Sequence, residues 1–260
     1  MATFNTPGPI SATVDIILGD IRFNASDRAD TVVEVHPIDP SRQLDVEAAA
    51  DVVVEFADGR LRVSHPRLRT LFTKKYGSVR VLVALPTGSE VQGDTAQGEY
   101  LVQGAVGTCR LKTAIGDIRV AQAVDVRLRT TGGKVIVDHV SGEADVKGNG
   151  DIRIRRIDGT AQVRNIGGDI RIAQFGGDTV DLNSATGGLS IGIAAGGAVE
   201  LDARATVGDV RDYLAAAGAP ERSDRIVKVR ARCHAGDIVV HRAGAGHDAP
   251  QRSSRFQGWR

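Results

Sequence analysis

Short runs in which aliphatic and polar residues alternate recur along the chain, and each opens on a glycine. The unit is G-x-Φ-x-Φ, where Φ is aliphatic. It reads Gly116-Asp117-Ile118-Arg119-Val120, Gly133-Lys134-Val135-Ile136-Val137, Gly150-Asp151-Ile152-Arg153-Ile154 and Gly168-Asp169-Ile170-Arg171-Ile172, with a degenerate copy at Gly187-Gly188-Leu189-Ser190-Ile191. These glycines step by 17, 17, 18 and 19 residues. Gly208-Asp209-Val210 and Gly236-Asp237-Ile238-Val239-Val240 continue the series at wider spacing, and Gly19-Asp20-Ile21-Arg22-Phe23 and Gly77-Ser78-Val79-Arg80-Val81 prefigure it. Alternation with period two predicts strands with one buried face.

A second strand fits between successive glycines. Its inward positions form two columns: Cys109, Val126, Ala144, Ala161, Val180, Val199, and Leu111, Leu128, Val146, Val163, Leu182, Leu201. A third apolar column, Ala123, Val140, Ile157, Phe175, Ala194, follows each glycine unit. A period of 17–20 residues is too short for helical-pair repeats or propeller blades and too long for nine-residue calcium repeats. It suits two or three short strands per turn, each turn climbing roughly 4.8 Å. The expected architecture is therefore all-β, a parallel β-solenoid (β-helix). A β-sandwich is the competing fold, but a sandwich has no need of equal spacing or of columns that stay in phase. A lone coil buries too little apolar surface to offset the ordering of its backbone, so stability must come from stacking.

Residues 1–95 are less regular. Strands are expected at Ser11–Leu18, Asp20–Asn24, Thr31–His36, Val52–Phe56, Arg60–Ser64 and Ser78–Leu85, with a short helix at Leu44–Ala50. Asp58-Gly59 between two alternating runs signals a hairpin turn. This segment is expected to cap one end of the solenoid and cover its strand edge. The repeat region is then 96–242. Asp212–Arg225 interrupts it, Ile226–Arg232 and Asp237–His241 close it, and 243–260 reads as a disordered tail.

This organisation resembles a bacterial family of putative adhesins of unknown function built on β-strand repeats. The Gly-Asp-Ile-Arg units carry the resemblance, with the opening Ile10–Phe23 strand pair and the closing Val229-Arg230-Ala231-Arg232 … Gly236-Asp237-Ile238 segment. It spans about residues 3–242 and implies a β-solenoid without catalytic residues.

Composition adds three constraints. The 31 glycines against 8 prolines fit many tight turns, and few aromatics (one Trp, three Tyr, six Phe) require a core of small aliphatics. Formal net charge is +1, so no global field draws the chain to nucleic acid or membrane. No signal-like or membrane-spanning apolar run is present, and the two cysteines, Cys109 and Cys233, read as free thiols. Cys109 is inward, whereas Cys233 aligns with Thr113 and Thr130 several coils away. These features predict a cytoplasmic location and leave a surface location open.

Chemistry-bearing motifs are few. Gly188-Leu189-Ser190-Ile191-Gly192 matches G-x-S-x-G, but Ser190 falls within a strand and not on the strand-to-helix turn a hydrolase needs. Asp117, Asp151 and Asp169 superficially imitate calcium-binding rolls at twice the required spacing. They read more simply as partners of Arg119, Arg153 and Arg171 on the same face. The six histidines do not pair at metal-ligand spacing. No catalytic residue, metal or cofactor is therefore expected.

The outward column Lys112, Arg129, Lys147, Arg164 is more informative, and Arg110 and Arg127 widen it. Stacked cations repel unless solvated or paired, so this stripe is the candidate contact for an acidic polymer or protein. By spacing the column becomes Asn183 and Asp202 toward the C-terminal coils, which predicts a solenoid electrically polarised along its length. The absence of interleaved aromatics argues against base stacking, hence against specific nucleic-acid recognition. A second basic segment, residues 67–76, reads as a connecting loop. The first functional expectation is a non-enzymatic interaction scaffold with the adhesin-like shape of the family. The second is a carbohydrate-active β-helix enzyme of lyase or hydrolase type, and the third is self-association through the solenoid ends.

Overall fold

The computed structural model describes residues 1–65, 77–196, 198–214 and 226–244. The basic segment 67–76, most of the Asp212–Arg225 interruption and the tail beyond Gly244 lie outside these. Described strands are β1 (Ala2–Asn5), β2 (Ser11–Asp15), β3 (Gly19–Ser26), β4 (Asp30–Pro37), β5 (Val53–Ala57), β6 (Arg60–Ser64), β7 (Val79–Pro86) and β8 (Glu90–Gln97). They continue as β9 (Tyr100–Ile115), β10 (Ile118–Gly132), β11 (Val135–Val140), β12 (Ala144–Gly148), β13 (Ile152–Ile157), β14 (Ala161–Gly167) and β15 (Ile170–Phe175). The last are β16 (Thr179–Thr186), β17 (Leu189–Ile193), β18 (Ala198–Val207), β19 (Val210–Asp212), β20 (Ile226–Ala235) and β21 (Ile238–Arg242). The helix α1 (Gln43–Asp51) sits where the pattern predicts one.

The protein is all-β, and most of its ladders are parallel. Two faces run the length of the stack. On one, β9, β10, β12, β14 and β16 pair in sequence, with Cys109 opposite Val126, Val126 opposite Ala144, Ala144 opposite Ala161 and Ala161 opposite Val180. On the other, β10, β11, β13, β15 and β17 pair in sequence. The inward columns are buried, so each aliphatic side chain rests on its counterpart one turn away.

At both ends the order in space departs from the order in the chain. β2 lies between β6 and β8, and β3 between β7 and β9, all parallel. Likewise β20 lies between β16 and β18, and β21 between β17 and β19. The first and last coils of the chain are thus each inserted one coil in from an end.

This insertion corrects two columns. Val180 faces Val229, which faces Leu201, so Val199 is not the next member. Leu182 faces Ala231, which faces Ala203, and this displaces Leu201 from the second column. In the third column Phe175 faces Ile193 and not Ala194, because the register slips between Ile172 and Phe175.

Beyond the inserted N-terminal coil the pairing turns antiparallel. β4 pairs with β7 and β1, and β5 forms a hairpin with β6 through Asp58-Gly59, both with positive φ. Phe4 and Phe56 stack across this end with ring centres 4.9 Å apart. The buried Asp45 carboxylate of α1 accepts the backbone N–H groups of Asp39 and Ser78 and so pins the helix to the start of β7.

The glycine corners explain the repeat. At Gly133 φ is +145°, and a Cβ there would lie 2.1 Å from the Gly116 carbonyl oxygen. Gly150 stands in the same relation to Gly133, at φ +152° and 2.3 Å. Corner glycines therefore stack backbone on backbone, and the stack follows space: Gly236 sits over Gly187, and Gly208 over Gly236. The aspartate after the glycine does two jobs. Asp169 Oδ1 accepts the Gly188 N–H of the next coil at 2.9 Å, while its Oδ2 accepts from Arg171 at 2.9 Å. Asp117 and Asp151 repeat the arrangement.

Candidate anion-binding face

The outward residues of β9, β10, β12 and β14 place the expected cations in true register. Lys112 faces Arg129, Arg129 faces Lys147, and Lys147 faces Arg164. Arg110 and Arg127 face each other in the adjacent column. The six residues therefore fall in two neighbouring files.

Their surroundings differ. Arg129 is folded down onto the sheet, where it donates to the Leu128 and Asp145 carbonyls (2.9 and 3.0 Å) and to the Asp145 carboxylate. Arg127 shares that carboxylate at 3.6 Å. Lys112 pairs with exposed Asp94 at 3.2 Å. Among the described residues, Arg110, Lys147 and Arg164 have no carboxylate within ion-pair distance.

The expected polarity along the solenoid is not found. Because β20 intervenes, Arg164 faces Asn183, Asn183 faces Arg232, and Arg232 faces Arg204. Asp202 belongs to the neighbouring file, opposite Arg230. There it repeats the Asp145 arrangement: Arg232 donates to the Ala231 and Asp202 carbonyls and to the Asp202 carboxylate. The Arg232 hydrogen bond holds the Asp202 carboxyl below its ordinary range, with Arg204 and Arg230 adding to it. Sequence spacing missed Asp145, Arg204 and Arg232 as members of this face. The shared Arg-x-Arg pattern of 127–129 and 230–232 was the available signal.

On the other side of the cation file lies a shallow groove of about 590 Å³. Its far wall is formed by residues two places beyond each cation: Ala114, Thr131, Asn149 and Ile166. The same position in neighbouring coils is Ala96, Ala185, His234 and Thr206. No carboxylate stands in that column, so the acids that balance the cations all lie on the opposite flank or at its Asp94 end.

Between cations and groove wall runs a buried polar column that serves the glycine corners. Thr113 and Thr130 donate to the Gly98 and Gly116 carbonyls. Asn165 Nδ2 donates to the carbonyls of Gly150, Gly167 and Gly168 at 2.9–3.0 Å. Cys233 stands in this column opposite Ser184, as its alignment predicts, and its thiol donates to the Gly187 carbonyl at 3.2 Å. Both cysteines are free. Burial pushes the Cys109 thiol up to about 12 and raises Cys233 as well.

Ser190 lies in β17 between Arg171 and Val239 of neighbouring strands, within a regular ladder. The Asp117, Asp151 and Asp169 carboxylates are engaged by amides and guanidinium groups, and no group of three or more metal-ligating side chains occurs among the described residues.

A family model described as Toastrack DUF4097 matches residues 14–233. The chain belongs to the Toastrack DUF4097 family. The match begins within the inserted N-terminal coil and ends within β20 of the inserted C-terminal one, so it takes in most of the first insertion and part of the second. A putative adhesin from Bacteroides fragilis is similar to this Toastrack chain at 13% identity, with a TM-score of 0.50 over 92% of this chain and 95% of that one. A putative adhesin from Parabacteroides distasonis is similar at 16% identity, with a TM-score of 0.40 over 92% and 95%. A putative cell adhesion protein from Clostridium sporogenes is similar at 12% identity, with a TM-score of 0.26 over 93% and 98%. At these identities the likeness concerns the fold. No curated protein matches the sequence. Among the described residues, no helix is long and apolar enough to cross a membrane.

Proposed function

We propose that this Toastrack chain is a non-enzymatic binding scaffold whose basic face takes an acidic partner. The observation that carries the reading is the asymmetry of that face. Lys112, Arg129, Lys147 and Arg164 stand in one file, and the far wall of the groove beside them is uncharged, with Asp94 at one end of the groove. Away from the Asp94 end, an anion approaching from the groove meets cations and neutral groups, whereas the Asp145 carboxylate that balances Arg127 and Arg129 lies on the opposite flank. The adhesin names of similar structures agree with a binding role. In this reading residues 1–95 form the capping segment, with β1, β4, β5 and α1 covering the end and β2–β3 lending it a parallel coil. Residues 96–242 are the repeat region and 243–260 a tail. Two free, buried thiols fit a reducing, cytoplasmic setting.

The test is charge reversal at the two cations of this file that have no carboxylate within ion-pair distance among the described residues. Binding to immobilised polygalacturonate, poly-glutamate and a single-stranded oligonucleotide is measured at low salt for the native chain and for Lys147→Glu/Arg164→Glu. Native binding to at least one polyanion, falling with added salt and lost in the variant, supports the reading. No binding to any of the three, or equal binding by the variant, overturns it.

A further inference from the structure

The basic file does not stop where consecutive sequence spacing ends it, and its length and pitch narrow the class of ligand. In space the file runs Lys112, Arg129, Lys147, Arg164, Asn183, Arg232, Arg204, on seven strands that are adjacent in one parallel ladder. Six strand spacings of roughly 4.8 Å give a track of about 29 Å along the solenoid axis. Its last two cations come from β20 and β18, which are out of chain order. Arg204 is the most exposed of the ion-paired cations in the file, with 77% of its side chain accessible.

We infer that this track binds a linear polyuronate, a glycan carrying one carboxylate per sugar, laid parallel to the solenoid axis. The inference rests on the binding role proposed above and names the ligand class for the same face. The argument is one of pitch. In an extended two-fold 1,4-linked chain each pyranose ring with its bridging oxygen advances about one coil rise and successive carboxylates alternate between faces, so those on one face recur every two coils and stay in step with every second cation. An extended acidic peptide presents same-face side chains only every second residue, about 6.7 Å apart, and falls out of step within a few coils. Single-stranded nucleic acid lacks its usual aromatic platforms here, since the groove wall contributes only small, aliphatic and polar side chains. That wall also offers the Thr131 hydroxyl and the Asn149 amide to sugar hydroxyls, and Ile166 to a ring face. Asn183 interrupts the charge at one position, where its amide is held by Asp181 at 2.7 Å. The carboxylate at that step is left to the flanking arginines.

The experiment measures affinity for unesterified oligogalacturonates of increasing length, from dimer to decamer. Fully methyl-esterified chains, poly-glutamate and a single-stranded oligonucleotide of equal charge are compared. Affinity is expected to rise with length to a plateau near seven sugars and to exceed that for the other polyanions by about tenfold or more. Arg204→Glu is expected to weaken heptamer binding by about tenfold and leave tetramer binding unchanged. Lys147→Glu/Arg164→Glu is expected to abolish both. A plateau at four sugars with no effect of Arg204→Glu overturns the extended track but leaves the basic face. Equal affinity for poly-glutamate or oligonucleotide overturns the polyuronate assignment. Loss of all polyanion binding removes the underlying reading as well, which separates the two failures.

Discussion

Between β9 and β17 each coil rests on the coil that precedes it in the chain, whereas the first and last coils are threaded between pairs made by other segments. The middle follows the logic of a repeat protein, in which each unit touches only its sequence neighbours and ends fray readily. The ends do not. To leave the stack, β20–β21 must break ladders with both β16–β17 and β18–β19, and β2–β3 must break ladders on both sides as well. The difference teaches that end coils can be held by sequence-distant segments, so that opening an end becomes a cooperative event.

The largest test of this contrast is removal of the inserted C-terminal coil by ending the chain at residue 225. Val227, Val229, Ala231, Cys233, Ile238 and Val240 would go, a gross loss on the order of 10 kcal/mol of apolar burial. β18 and β19 would lose their ladders to β20 and β21. Hydrogen exchange should show residues 198–212 unprotected while 118–175 stay protected. Protection of 198–212 in the truncated chain would mean that the inserted coil is dispensable.

A finer comparison sets a central corner against an inserted one. Gly150→Ala and Gly236→Ala each drive a Cβ into a carbonyl oxygen, at 2.3 and 2.2 Å, at positive φ. Each is expected to cost about 3 kcal/mol in denaturant unfolding. Gly196→Ala, at φ +94° where an added Cβ meets no atom of the described residues within 4 Å, should cost only about 1 kcal/mol. If Gly236→Ala resembled Gly196→Ala, the inserted end would be looser than the middle.

Smaller still is the polar column. Asn165→Ala leaves three corner carbonyls without their donor and should cost about 2 kcal/mol, against about 1 kcal/mol for Thr113→Val, as read from thermal or denaturant midpoints. The smallest effect concerns acid. Burial pushes the Asp158 carboxyl up, but hydrogen bonds from His139 and Arg156 together outweigh it and hold it below the ordinary carboxylate range. Its contribution is present above the unfolded-state value near pH 4 and lost as pH falls through the lower folded value. Asp158→Asn should therefore flatten the acid side of the stability curve relative to the native chain, with little change in its slope above neutrality.

The middle of the fold was legible because the glycine period barely changes there. Val126, Ala144 and Ala161 stay in phase, and so do the cations Arg129, Lys147 and Arg164 three residues further on. The ends were not legible, because spacing along the chain carries no record of which strand pairs with which. Val199 and Leu201 have the right character for their columns, yet β20 occupies the next place in space. The same substitution hid Arg232 and Arg204 from the basic file and put Asp202 there in error. Alternation did reveal the Asp58-Gly59 hairpin, α1 and the closing strands, since those are local events. Asp145 was missed as the shared counter-ion because only pairing across strands shows which carboxylate a cation meets.

The inserted last coil also has a consequence for biosynthesis. As the chain emerges from the ribosome, residues 198–212 appear before the segment that must come to lie beneath them. Their ladder partners are β20 and β21, so they cannot reach their final place until residues 226–242 have left the exit tunnel. Winding can therefore proceed vectorially through the middle turns but must pause before the last one until the inserted strands are available.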